Sequence, residues 1–220
     1  MSSLIPRIYE VLLKEYGKQG WWPIRGAYFP DKIDPFEIIA GAVLTQNTSW
    51  MNASRALEAL RGEGLLTPKR ILGMEQDALA AVIRSSGYYN QKARRLMGIC
   101  RYLIQLPNEG IPRREELLAI HGIGPETADS ILLYAYGVPL FVIDAYTRRM
   151  FVRVGIAREQ HSYEELEELI TSSIPRSATI FGEYHALIVR HCRERCRKNP
   201  LCTSCRLNRE RFCSYEPVNP

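Results

Sequence analysis

Apolar residues recur at helical spacing along nearly the whole chain, and polar residues interrupt them where helices should begin and end. In "DPFEIIAGAVLTQ", Asp34 stands where a cap belongs, Pro35 at the first helical position and Glu37 three residues beyond the cap. From Phe36 to Leu44 the segment is almost wholly apolar, which predicts a helix through the centre of the fold. Ala53, Ala56, Leu57 and Leu60 share one face of the next helix, and Thr67-Pro68 opens a short one. Leu79, Val82 and Ile83 turn inward before Gly87 stops that run; after Asn90, Ala93, Leu96, Met97, Cys100 and Ile104 line up. A short helix follows from Arg114 to Ala119, then one opened by Pro125 that stripes Ala128, Ile131, Leu132 and Ala135 inward. Ser162 with Glu165 forms a capping box, and Phe181, Tyr184, His185, Ile188, Val189 and Cys192 make one long stripe. "LFVID" is short and has no strand partner, so the predicted class is all-α.

A chain of 220 residues can bury one large core or two modest ones. With 46% hydrophobic and 24% charged residues it reads as a folded globular protein rather than a disordered one. No run approaches the roughly 18 apolar residues that would span a bilayer. The opening "MSSLIPRIYEVLLKEYGKQG" reads as an amphipathic helix rather than a secretory signal, so a cytoplasmic protein without a membrane partner is expected. The formal charge of +5 permits nucleic-acid binding without demanding it. Its distribution says more: Arg190, Arg193, Arg195, Arg197, Lys198, Arg206, Arg209 and Arg211 are opposed locally only by Glu194 and Glu210. Such a stretch is either a solvated face or a surface for phosphates.

In "HGIGPETADSILLYAYGVPLFVIDAYTRR", Gly122 and Gly124 permit a tight bend with positive φ, and Pro125 is preset for the first turn after it. Backbone N–H groups of Gly122, Ile123 and Gly124 at that helix N-terminus could grip a phosphate oxygen. Asp144 stands at the mouth of a further helix. It is at least an N-cap, and that position favours an ionised carboxylate.

This stretch resembles the helix-hairpin-helix and Gly/Pro-rich-loop-plus-aspartate signature of the DNA glycosylase superfamily typified by endonuclease III. "GAVLTQNTSW", "GYYNQKARRL" and the cysteine-rich tail extend the resemblance over roughly Trp21 to Cys213. "WWP" and "TQNTSW" look most like the branch containing 3-methyladenine glycosylases. The resemblance implies two helical domains flanking a DNA-binding cleft: residues 28–140 carrying the hairpin, and residues 1–27 with 141–220 carrying a cluster loop.

The resemblance also implies the site. Asp144 would stabilise the cationic sugar as the base leaves. Gln46 would fill the gap left by a flipped nucleotide, unless it is only a helix-end cap. Gly122, Ile123, Gly124, Glu126 and Thr127 would meet the DNA backbone, with Asn90 (otherwise an N-cap) and Lys92 (otherwise a surface charge) beside them. Trp21 and Trp22 would line the base pocket, and Trp50 would join them or pack in the core. Bifunctional members carry a Schiff-base lysine where this chain has Glu126, which cannot form an imine. A monofunctional enzyme follows.

Cys196, Cys202, Cys205 and Cys213 are separated by five, two and seven residues. Four thiolates so close suit an iron–sulfur cluster or zinc. Their place after the last long helix matches the family's 4Fe–4S loop, although the spacing departs from the family's on both sides of the central Cys-x-x-Cys. Cys192 is a rival ligand or a buried thiol, and Cys100 reads as core. The expected protein is a monomeric glycosylase acting on double-stranded DNA with a damaged base, an alkylated purine such as 3-methyladenine. Alternatives are oxidised or mismatched bases on the same scaffold, or a DNA-binding module without catalysis.

Overall fold

The computed structural model describes residues 4–21, 34–107, 110–213 and 215, and among these twelve α-helices and no strand are found. The chain divides into two compact units, Ile24–Gly137 and a second made of Met1–Pro23 with Val138–Pro220. Among the described residues no helix is long and apolar enough to cross a membrane.

In the continuous unit, α2 (Pro35–Thr45) is capped by Asp34, whose carboxylate accepts from the Phe36 N–H. All residues from Phe36 to Leu44 except Glu37 are buried, so this helix meets neighbours on every side. Those neighbours are α3 (Trp50–Gly62), α6 (Tyr89–Leu103) and α8 (Pro125–Tyr136). The α3 stripe of Ala53, Ala56, Leu57 and Leu60 is buried as its spacing requires. Thr67 caps α4 (Pro68–Leu72) through the Arg70 N–H, as its place before Pro68 predicts.

Two inner faces differ in detail from their sequence patterns. In α5 (Gln76–Val82) the buried pair is Leu79 with Ala80, while Val82 is half-buried. Ile104 follows the last turn of α6 and is exposed, so Ile99 fills the core beside Leu96 and Cys100 instead. The helix also starts one residue before Asn90. Tyr88 occupies the cap position at φ +48°, and Asn90 is exposed in the first turn.

In the second unit, α1 (Leu4–Tyr16) buries Ile5, Ile8 and Leu12 against α11 (Ala178–Glu194). Each such side chain contributes roughly 1.5–3 kcal/mol. The fully buried Tyr184 of α11 donates its O–H to the Ile5 carbonyl at 2.9 Å. That bond satisfies the phenol and fastens the first helix to the chain's last third. Further helices are α9 (Ala145–Val154), α10 (Tyr163–Thr171), whose Ser162–Glu165 capping box is complete, and α12 (Arg206–Arg209). The apolar 141–143 run is buried without joining a sheet. Its Phe141 N–H donates to Glu167 and its Ile143 N–H to the Tyr163 hydroxyl, side-chain acceptors in place of a strand partner.

Candidate functional site

The hairpin is built from α7 (Arg114–Leu118) and α8. Arg114 ties the two together with a forked pair of bonds to the fully buried Asp129 carboxylate, at 2.6 and 3.0 Å. Between the helices only Gly122 takes positive φ, +83°. Gly124 is extended at φ −97° and serves as N-cap ahead of Pro125, so the expectation of left-handed backbone at both glycines holds for one. Gly122 and Gly124 are exposed, whereas the Ile123 side chain is buried and its N–H donates to the Ile120 carbonyl. Ile123 therefore anchors the bend rather than offering its amide to a phosphate. Glu126 is exposed in the first turn of α8, and Thr127 is buried.

Gln46, the C-cap of α2, spends its whole amide on this neighbourhood. Its Nε2 donates to the Gly122 carbonyl (3.1 Å) and the Thr127 hydroxyl (2.8 Å), and its Oε1 accepts from Arg95 (2.7 Å). Filling a gap in DNA would require exchanging these bonds. A Cβ at Gly122 would fall on the Arg95 side chain well inside contact distance. The glycine thus serves both the backbone angle and the close approach of the arginine. Arg95 carries no motif signal of its own in the sequence.

Lys92 corrects the surface reading. It is 0% exposed, and its ammonium donates to the carbonyls of Leu44 (2.8 Å) and Ser86 (2.6 Å). Burial, aided by the Arg95 charge, pushes its pKa down to about 8. A phosphate cannot reach it. Its work is to join the end of α2 to the 3-10 turn Arg84–Ser86. Tyr88 follows that turn, 63% exposed on left-handed backbone. A large aromatic side chain held out on strained backbone marks a candidate contact that the helical periodicity did not reveal. Trp50 is half-buried at the start of α3.

Asp144 caps α9, its Oδ1 accepting the Thr147 N–H at 2.7 Å. Its Oδ2 faces the His185 Nε2 at 3.4 Å, with the carboxylate 12% exposed. Burial pushes this carboxyl up, but His185 and the Thr147 bonds outweigh it and hold the group below its ordinary range. Trp21 meets the His185 ring edge-on, centroids 5.6 Å apart. Trp22 lies outside the described residues. In sequence His185 is one more member of a buried stripe; a histidine on such a stripe needs a polar partner, and here that partner is Asp144.

The four tail cysteines line one cavity together with Arg153 and His191, and all six cysteines are free thiols. Cys192 is buried on α11, as its stripe position suggests, with its Sγ 3.5 Å from the Tyr146 carbonyl. Arg153 holds the loop by donating to the carbonyls of Cys196, Arg197 and Lys198 and lies 3.4 Å from the Cys196 Sγ. Cys192 beside it and this guanidinium draw the Cys196 thiol below its ordinary range. Among the described residues no three His, Cys, Asp or Glu side chains are gathered tightly enough for a metal ion. Four thiols around one cavity beside a cation are nevertheless an all-sulfur donor set, the set that an iron–sulfur cluster takes. On that chemistry the residues fit.

Residues 40–176 match the HhH-GPD superfamily base excision DNA repair proteins. A Methanocaldococcus jannaschii protein, provisionally named a DNA repair glycosylase, is 42% identical over 96% of both chains. The endonuclease III of Thermotoga maritima is 31% identical over 78% of this chain and 80% of its own. Among solved structures, a non-covalent endonuclease III–DNA complex superposes with a TM-score of 0.83 at 25% identity, covering 97% of this chain and 95% of the other. The H. pylori 3-methyladenine DNA glycosylase bound to 1,N6-ethenoadenine gives 0.74 at 29% identity, covering 88% and 97%. With most of the chain matched and the hairpin, its glycine bend and the capping aspartate all in place, this protein belongs to the HhH-GPD superfamily of base excision DNA repair proteins.

Proposed function

We propose that the chain is a monofunctional DNA N-glycosylase that excises a damaged base, an alkylated purine such as 3-methyladenine, from double-stranded DNA. The observation that carries this reading is the Asp144 carboxylate, capped by the Thr147 amide, faced by His185 and held ionised. Excision requires the nucleotide to be flipped out of the duplex, after which the C–N bond to the sugar breaks with the base as leaving group. Positive charge then develops on the sugar, and a fixed anion stabilises it. Water adds its oxygen to the anomeric carbon, and its proton leaves through the carboxylate or solvent.

Two features support the finer reading. Glu126 stands where a Schiff-base lysine would be needed, so this residue cannot open the lyase route. Trp21, packed on His185, offers aromatic surface on the Asp144 side, where a cationic alkylated base gains roughly 0.5–2 kcal/mol from cation–π contact. The similarity to a 3-methyladenine glycosylase agrees with this choice of base.

The exposed Gly122–Gly124 bend and the exposed Arg193, Arg197, Lys198, Arg209 and Arg211 are the expected phosphate contacts. Cys196, Cys202, Cys205 and Cys213 would hold a 4Fe–4S cluster. When bound, the cluster supplies a rigid core that folds the basic loop, since hydrolysis of a glycosidic bond transfers no electrons.

The test is a panel of duplexes carrying alkylated, oxidised or mismatched bases, assayed for released base with native protein and Asp144→Asn. Release of alkylated purine by the native chain alone is expected. Release of only oxidised or mismatched bases overturns the lesion class. Intact duplex binding with no release from any duplex identifies a binding module instead.

A further inference from the structure

His191 is 1% exposed, yet both of its ring nitrogens have partners outside its own helix. Its Nδ1 lies 3.0 Å from the Tyr16 hydroxyl of α1, and its Nε2 lies 3.6 Å from the Cys205 Sγ. Tyr16 is itself held in place. Arg190 donates to the Tyr16 carbonyl at 3.3 Å and lies 5.1 Å from the centre of its ring. Burial, with Glu15 nearby, pushes the Tyr16 phenol up, so it keeps a proton that it can donate.

A phenol donating to Nδ1 leaves the imidazole hydrogen on Nε2. That hydrogen points at the sulfur. We propose that Tyr16 locks His191 in the tautomer that donates Nε2–H to the Cys205 thiolate, making His191 a positioning residue that tunes the four-cysteine centre and couples it to the docking of α1. The inference rests on the cluster reading above. Hydrogen bonds to ligating sulfurs stabilise the more negative state of a cluster, so they raise its reduction potential. The second ring nitrogen normally decides which nitrogen of a histidine donates, and here that control lies in the first helix of the chain.

The experiment uses the full chain purified with its metal. Iron content and visible absorption are measured first, then the midpoint potential of the centre on DNA-bound protein, for native chain, Tyr16→Phe, His191→Leu and His191→Gln. A loaded native protein should lose potential in His191→Leu, lose less in Tyr16→Phe, and stay close to native in His191→Gln, whose amide still donates. Tyr16→Phe keeps the ring and serves as the deciding variant if His191→Leu does not fold. Equal potentials in loaded native, Tyr16→Phe and folded His191 variants overturn the tautomer lock while leaving the cluster reading intact. A colourless native protein, with zinc or without metal, overturns the cluster reading and the inference with it.

Discussion

Asp144 Oδ2 and His185 Nε2 stand 3.4 Å apart, while Oδ1 of the same carboxylate is taken by the Thr147 N–H at the head of α9. The carboxylate is thus oriented from both sides and kept charged despite its burial. Asp144→Asn keeps an equally good N-cap and should leave folding intact. It should lower single-turnover base release about 100- to 1,000-fold, the scale of removing one pre-organised electrostatic group. Duplex affinity should stay near native. A mutant that releases base at the native rate would remove Asp144 from the mechanism.

The pH dependence of that carboxylate has a defined sign. Its folded pKa lies below the unfolded value of about 3.9, so its contribution to stability is complete above that value and fades as pH falls through the folded one. Base release should therefore show no acid limb from Asp144 at or above about pH 4. The pH–rate profile of single-turnover release checks this, and an acid limb well above about pH 4 that Asp144→Asn abolishes contradicts it.

Lys92 offers a stability test separate from catalysis. Lys92→Met removes the ammonium and strands the Leu44 and Ser86 carbonyls, costing roughly 1–3 kcal/mol for each. The folded pKa is lowered from 10.5 to about 8, so the unfolded chain binds the proton more tightly in that interval. Native stability from this group should rise with pH from about 8 towards 10.5, and the gap to Lys92→Met should widen. Urea melts at several pH values read both effects. A gap that narrows with pH contradicts the argument.

The two hairpin glycines should separate fold from binding. Gly122→Ala forces a Cβ onto Arg95 at φ +83°, and should cost about 1–2 kcal/mol from the backbone alone while loosening the Arg95–Gln46 bond. Gly124→Ala meets nothing within 4 Å and is extended, so stability should change by less than about 0.5 kcal/mol. Duplex affinity should nevertheless fall, because a methyl group would stand where a phosphate approaches the backbone. Thermal melts and binding titrations at fixed salt compare them directly. Unchanged affinity in Gly124→Ala would remove this bend from the interface.

Glu126 decides whether a covalent route exists. The native chain should give no borohydride-trapped adduct with damaged duplex, and Glu126→Lys, exposed in the first turn of α8, should introduce one. Trapping by native protein would mean that another lysine serves as nucleophile.

Local sequence determined the helices and most of their caps, but not which of the two hairpin glycines takes positive φ. The 3.6-residue period, the Asp34, Thr67 and Ser162 caps and the position of Pro125 are consequences of covalent geometry and nearest neighbours. Asp144 and the four cysteines were legible for the same reason, as a cap and as a local spacing of thiols. Tertiary structure alone decided what the polar side chains face. Lys92 read as a phosphate contact or a surface charge until the Leu44 carbonyl, 48 residues away, accepted a hydrogen bond from its ammonium. Gln46 read as a gap-filling residue or a helix-end cap until the hairpin and Arg95 took up its amide, and His185 looked like core until it met Asp144. The Tyr16 and His191 rings are 175 residues apart in the chain. No periodicity reports a hydrogen bond across such a distance, because the pairing is made by packing helices rather than by the backbone between them.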